Sequence, residues 1–480
     1  MVLFYNNKSI MSQQLFSFHT AKVLVIGDST LDTYWYGSTN RISPEAPVPV
    51  AHYSHSENRL AGASLVAANI KSLGGSVELI SAIGHSDSDL NQELQSLLNK
   101  QGLNSANVEL VSTNGHTNNI IRIVSQSQQL LKVAPQPNQR SNAPSAAFSQ
   151  NLIAHFKQKM ASCNVAILYD EAGGIFTSES LSTYIALCRQ QGVLCVYVPA
   201  NQKAFRNFLA SDQHVDYVII SNDIVLDQAI ISRCQGVVKF DTKKGLEYIT
   251  SANNNIVVLK NTKEVDNSIG TCEVVASIFA LNISINNDLN FILELSNAAM
   301  AVATREFGQI IINIIQLQLA YADQVLNNKY NYLKLAQEIQ AAREKNQTIV
   351  FANGCFDVLH VGHIAYLDAA SKRGDKLFVA INSDYSITTL KGETRPVNKL
   401  IDRIALLRSF SIIDWIVPFY TDTPCDFLSW LKPDVLVKGG DYNIDEVVGR
   451  DIVLGYGGKV EIIKHPYTEI SSTKILAEQI

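Results

Sequence analysis

Two histidines three residues apart, His360 and His363, close the segment Phe351-Ala-Asn-Gly-Cys-Phe-Asp-Val-Leu-His-Val-Gly-His363. The apolar run ending at Ala352 reads as a strand, Asn353-Gly354 as a turn, and His360 opens a helical pattern. A helix N-terminus offers unpaired N–H groups and the positive end of the helix dipole, so it attracts anions. Gly362 has no Cβ to hold a phosphate away from the backbone. Imidazoles at this spacing can face one ligand and stabilise charge developing on phosphate oxygens. The competing readings are a turn carrying two surface histidines, or a metal pair. No third ligand stands at a matching spacing for zinc, so no protein metal cluster is expected.

The elements that must position this segment alternate. In residues 348–480 strands are expected at 348–352, 376–381, 415–419, 435–437 and 460–463. Helices are expected at 362–372, 400–407, 424–431 and 472–478. That rhythm predicts one small doubly wound, Rossmann-like α/β domain. Upstream, strand-like runs at 22–26, 77–83, 165–169, 194–198, 217–220 and 256–259 predict another α/β domain over 21–321. Residues 322–347, rich in Asn, Gln, Lys and Glu, read as a connector with a helix over 332–342.

A chain of 480 residues with 46% apolar and 17% charged residues has room for two cores. Its net charge of −5 gives no basic field, so nucleic acid is not an expected partner. Seven dispersed cysteines without a CxxC pair read as reduced thiols of a cytoplasmic protein. The N-terminus lacks the charged and apolar regions of a signal peptide, and Met11 is an alternative start. No apolar run reaches membrane-spanning length; 310–320 reads as a buried helix.

Segment 351–367 resembles the start of cytidylyltransferase-like nucleotidyltransferases. Ile381-Asn-Ser-Asp-Tyr, Leu390-Lys-Gly-Glu-Thr-Arg-Pro-Val-Asn398, Val437-Lys-Gly-Gly-Asp-Tyr442 and Ile470-Ser-Ser-Thr-Lys-Ile475 extend the likeness. Together they resemble the adenylyltransferase half of bacterial bifunctional heptose-7-phosphate kinase / heptose-1-phosphate adenylyltransferases. The resemblance implies transfer of AMP from ATP, with Mg²⁺, to D-glycero-β-D-manno-heptose 1-phosphate in lipopolysaccharide core precursor synthesis. It implies that His360, His363 and Lys391 act on the triphosphate. Asn353, Gly354, Phe356, Asp357, Gly362, Lys438 and Gly439 would line the nucleotide side. Ser471, Ser472 and Thr473 either cap the last helix or also donate to the triphosphate. Arg403 either reaches phosphate or is a surface charge. These residues leave ATP against CTP open.

Gly27-Asp-Ser-Thr-Leu-Asp32 and the run to Val50 resemble the kinase half of the same family, a ribokinase-like (PfkB-type) sugar kinase. The catalytic positions depart from that pattern. Ile269-Gly270-Thr271-Cys272 stands where the family has Gly-Ala-Gly-Asp, so Cys272 replaces the base. Glu273, one residue along a helix, is expected to turn about 100° away from the sugar. Leu65 replaces the asparagine of the sugar loop, Ala200 a phosphate-binding lysine, and Val225 a glutamate on the metal side. Asp28 and Asp32 remain. The expectation is a kinase domain that has lost activity and serves as a homodimerisation platform. The alternatives are a fully bifunctional enzyme and a non-catalytic sensor of nucleotides or sugar phosphates.

Overall fold

The computed structural model describes residues 16–85, 87–113, 116–126, 128–134, 146–211, 213–251, 256–259, 268–326, 334–440, 443–464, 467, 470 and 475. The chain divides into two compact units, 18–313 and 314–480, the second also including the start of the chain.

The first unit has strands β1 (Lys22–Ile42), β2 (Pro49–Gly62), β3 (Ser76–Gly84), β4 (Val108–Thr113), β5 (Asn118–Ser125) and β6 (Gln128–Val133). They are followed by β7 (Val165–Asp170), β8 (Leu194–Pro199), β9 (Val215–Ser221), β10 (Cys234–Asp241), β11 (Gly245–Ile249) and β12 (Ile256–Leu259). Its helices are α1 (Ala63–Ser72), α2 (Ser88–Lys100), α3 (Ala146–Met160), α4 (Ser178–Gln191), α5 (Gln202–Ser211), α6 (Gln228–Ile231), α7 (Thr271–Ser284) and α8 (Leu289–Ala303).

The main sheet runs β12-β11-β10-β9-β8-β7-β1-β3-β4. From β10 to β4 every pair is parallel, and β11 and β12 are antiparallel additions. Strand β7 is buried at every residue, as a strand covered by helices on both faces must be.

Strand β1 is far longer than the apolar run 22–26 suggests. It pairs with β3 as far as Asp28↔Ala82, then crosses into a second sheet. There Ser29↔Gly62 begins the antiparallel ladder to β2, and Thr30↔Asn118 the parallel one to β5. Gly27-Asp28, just beyond the run expected as a strand, is therefore continuous strand. Strands β2, β5 and β6 alternate too weakly to read from sequence, because much of that second sheet is exposed.

Gly62 joins β2 to α1 at φ +63, and a Cβ there would lie 2.4 Å from the Asp28 carbonyl oxygen. Only glycine combines that conformation with that approach.

The second unit contains α9 (Ile314–Val325), α10 (Leu335–Glu344), β13 (Ile349–Gly354), α11 (Val361–Ser371), β14 (Lys376–Asn382) and α12 (Asp384–Lys391). It continues with α13 (Leu400–Leu407), β15 (Trp415–Phe419), α14 (Cys425–Leu431), β16 (Val435–Gly439), α15 (Arg450–Gly455) and β17 (Lys459–Ile463). All pairs are parallel, in the order β15-β14-β13-β16-β17. The order reverses between β13 and β16, so the connections leaving their carboxyl ends diverge and open a crevice.

Two boundaries move. Helix α9, expected to close the first domain at 321, packs on β15 and α14 of the second unit. Gln318, Tyr321 and their apolar neighbours face that core. Lys391 ends α12, a helix not among those expected, with Gly392 as its cap. The helix expected over 472–478 lies outside the described residues, apart from Ile475.

Candidate active site

The crevice at the carboxyl ends of β13 and β16 is a cleft of about 540 Å³. Asn353 and Gly354 enter it from the end of β13, and Lys438 and Gly439 from the end of β16. His360, Gly362 and His363 line it from the start of α11, and Lys391 from the end of α12. Phe356 completes this set.

His360 is the N-cap of α11, and the His363 N–H donates to its carbonyl at 2.9 Å. The two imidazole centroids are 3.9 Å apart and their planes 31° apart. Phe356 packs on His363 at 5.3 Å. Phe356 has φ +47, unusual for an aromatic residue, and is buried. Strain of that kind persists only where the surroundings enforce it, and it concentrates at ligand sites. Two charged imidazoles this close repel unless an anion lies against them, so the pair suits a polyanionic ligand.

Gly439 is required by packing. A Cβ there would lie 2.8 Å from the Tyr366 ring, whose hydroxyl donates to the Val437 carbonyl at 3.0 Å. Lys438 donates to Asn353 Oδ1 at 3.4 Å. Burial pushes its ammonium below the ordinary lysine range. An anion bound in the cleft would oppose that shift.

Two residues assigned to the nucleotide do not reach the cleft. Arg403 is fully buried. It donates to the carbonyls of Asn398 (3.0 Å), Cys355 (2.7 Å) and Asn382 (2.8 Å), and to Asp384 Oδ1 at 2.7 Å. Neither the phosphate role nor the surface charge expected from sequence holds. Its helix faces inward, and the guanidinium fork is committed to the backbone of the cleft floor.

Asp357 is likewise buried. It is paired with Arg395 and accepts from the N–H groups of Val397 (2.8 Å) and Asn398 (3.0 Å). It anchors segment 395–398 and supports the cleft from behind. Ser471, Ser472 and Thr473 lie outside the described residues. Sequence reasoning missed Tyr366, Asp422, Thr423 and Pro424, which also line the cleft. The only signal for the last three was their place after a strand.

Among the described residues no group of three or more His, Cys, Asp or Glu is placed to hold a metal ion. Among the described residues, the charged side chains lining the cleft are Lys391, Lys438 and Asp422, beside the two histidines. That donor set suits triphosphate oxygens better than a resident cation. A divalent ion would enter with the nucleotide and supply charge neutralisation there.

The first unit holds a cavity of about 920 Å³, lined by Arg122, Lys132, Lys203, Lys243, Glu171 and Glu273, among others. Gly270 caps α7 at φ 78, and the first turn of that helix brings both Cys272 and Glu273 to the wall. The expectation that Glu273 turns away is therefore corrected. The helix points its N-terminus into the cavity, so successive first-turn residues flank it.

Glu273 Oε1 accepts from the Gly62 N–H at 3.4 Å, and burial raises its carboxyl pKa. Burial, with Glu273 and Glu171 nearby, also pushes the Cys272 thiol up. Asp32 is fully buried. Arg122 donates to it at 2.9 Å, and Tyr34 and Gln309 at 3.3 Å each. Leu65 is buried in α1 and does not line the cavity. Ala200 and Asn222 line it, whereas Val225 is exposed.

Fold and site thus define two α/β units, one with a nucleotidyltransferase-type cleft and one with a kinase-type cavity. Residues 20–227 match the pfkB family of carbohydrate kinases, and residues 351–478 match the cytidylyltransferase-like family. The chain is 32% identical over 474 residues to the bifunctional protein HldE of Alcanivorax borkumensis, covering 96% of this chain and 97% of that protein. It is 34% identical over 487 residues to the bifunctional protein HldE of Pseudomonas putida, covering 96% and 98%. The chain belongs to the family of bifunctional proteins HldE. Escherichia coli phosphofructokinase-2, solved with potassium, superposes with a TM-score of 0.53 at 17% identity, covering 64% of this chain and 99% of that one. That likeness shows a common fold for the first unit. The two α/β domains expected from sequence, one ribokinase-like and one cytidylyltransferase-like, are thereby established.

If Arg403 supports the cleft floor, Arg403→Ala strands three buried or half-buried carbonyls and one carboxylate. The second unit should lose about 3 kcal/mol or more in a denaturant titration. A residue that only touched ATP would leave that transition in place.

Proposed function

We propose that the second unit transfers AMP from ATP to D-glycero-β-D-manno-heptose 1-phosphate, releasing pyrophosphate and forming ADP-heptose. The observation that carries this reading is the His360–His363 pair at the N-terminus of α11, in a cleft shared with Lys391 and Lys438. Such a site holds a triphosphate while a sugar phosphate oxygen attacks the α-phosphorus in line, so positioning and charge neutralisation suffice. Membership of the bifunctional family supports the sugar. Full-length protein with ATP, Mg²⁺ and heptose 1-phosphate should release pyrophosphate. His363→Ala should slow release by about 100-fold or more. Release unchanged in the variant, or none from the unaltered chain, refutes the assignment.

Two readings of the first unit rest on specific observations. The whole-length match to bifunctional proteins favours a chain that also phosphorylates heptose 7-phosphate at C1, and the comparisons weigh toward it. The side chains around the cavity support the other reading, in which this activity is lost. Cys272 with its raised thiol pKa is a poor base. Asp32 and the Gly62 N–H, which a sugar would need, are already engaged by Arg122, Gln309 and Glu273. On the loss reading, ADP formation from ATP and heptose 7-phosphate runs at least about 100-fold below the adenylyl-transfer rate. Cys272→Asp would not restore it. Comparable rates in the unaltered chain establish the bifunctional reading instead.

The second sheet of the first unit exposes Trp35, Ile42, Tyr53, Leu131 and Val133, with Tyr53 64% and Ile42 62% accessible. A patch of that kind supports homodimerisation through this unit. Light scattering should give twice the 52.8 kDa of one chain. Trp35→Glu with Leu131→Glu should return the single-chain mass; a monomer before substitution rules the dimer out.

A further inference from the structure

The wall of the nucleotide cleft formed by Asp422, Thr423 and Pro424 follows β15, the edge strand of the five-stranded sheet. An edge strand leaves backbone groups without a neighbouring strand, and something else must satisfy them. At Tyr420, immediately beyond β15, that partner is a side chain of α9. Gln318, fully buried, accepts the Tyr420 N–H through Oε1 at 3.2 Å.

Aromatic packing fixes the same point. Tyr321 of α9 meets Tyr420 edge-on at 5.2 Å. Phe16, from the start of the chain, packs on Tyr321 at 5.6 Å and on Tyr420 at 5.5 Å, and is itself buried. Helix α9 also packs on β15 and α14, the two elements flanking this wall. Within the wall, Thr421 Oγ1 donates to the Thr423 carbonyl at 2.8 Å, and Pro424 caps α14. The Phe419 carbonyl accepts the Ser383 N–H at 3.0 Å, tying the wall to the start of α12 and so to the helix that carries Lys391.

We propose that Gln318 and Phe16 are positioning residues of the adenylyl-transfer site. They brace the Tyr420–Pro424 segment against α9 and so set the shape of one cleft wall. Both lie outside residues 351–478, the part matched to the cytidylyltransferase-like family. The working second unit therefore includes α9 and a residue from the far end of the sequence. A truncated chain starting after α9 would lose the brace.

The kinetic test rests on the adenylyl-transfer reading, and an amide-exchange test does not. In the full chain, Gln318→Leu removes the acceptor while keeping bulk, and Phe16→Ala removes the aromatic contact. Phe16→Leu keeps apolar volume. Gln318→Leu and Phe16→Ala should each raise the KM for ATP or for the sugar phosphate by about tenfold, with kcat held within about threefold. The Tyr420 amide should exchange faster, and Phe16→Leu should stay near the unaltered chain. Should Gln318→Leu not fold, Phe16→Ala and Phe16→Leu carry the test.

Unchanged KM and unchanged exchange at Tyr420 in Phe16→Ala overturn the proposal. So does a loss of kcat in proportion to folded protein with KM constant, which marks a purely structural contact. If the unaltered chain releases no pyrophosphate, the functional reading fails, and exchange at Tyr420 alone decides the brace.

Discussion

The guanidinium of Arg403 sits where four segments of the second unit meet, and the shape of the nucleotide cleft depends on it. It reaches the carbonyl of Cys355 inside the histidine motif, that of Asn382 at the end of β14, that of Asn398 before α13, and the carboxylate of Asp384 at the start of α12. Parallel strands end in diverging loops whose carbonyls have no strand partner, so a crevice can form there only if something satisfies its floor. A rigid, always-charged fork with five donors suits that task better than a lysine. Asp357 does the complementary work with opposite charge, collecting Arg395 and two backbone N–H groups. With floor and back fixed in this way, Lys391, Lys438 and the two histidines line the open side.

This division explains which site residues were legible in the sequence. His360, Gly362 and His363 could be read because a strand, a turn and a helix start lie within a dozen residues, and local geometry places all three. Lys438 and Gly439 could be read because they end a strand beside the switch point. Resemblance places Asp357 beside the ligand, and Arg403 is left between phosphate and surface, because one dimension does not say where a charge near a binding motif points. Whether it faces in or out depends on partners 5 to 48 residues away along the chain. Most strand positions of the second unit were legible for a related reason. Strands buried on both faces read as plain apolar runs. The second sheet of the first unit was not legible, since its strands are exposed on one side and its longest member continues a buried strand.

The two units place similar parts at the carboxyl ends of parallel strands: a helix N-terminus, glycines with no room for a Cβ, and a set of charges. They differ in where those charges go. In the second unit the floor charges are satisfied by backbone and by each other, while Lys391, Lys438 and the histidines line the cleft. In the first unit Asp32 lies inside a network of Arg122, Tyr34 and Gln309, and Glu273 takes the Gly62 N–H. Asp32 keeps its residue type, yet a ligand hydroxyl would have to displace the side chains that hold it.

The same reasoning bears on where a functional unit ends. A sheet of five parallel strands has two edges, and each must be covered before the loops beyond it hold a fixed position. At the β15 edge the cover is α9, a helix that the boundary expected at 321 leaves in the preceding domain. Its composition carries no sign of which sheet it covers, since both would accept an apolar face. The decisive group is Gln318, an amide among apolar neighbours, whose burial makes sense only opposite an unmatched backbone N–H. A buried amide inside a mostly apolar helix thus points to the element it packs against, and here it points across the expected boundary.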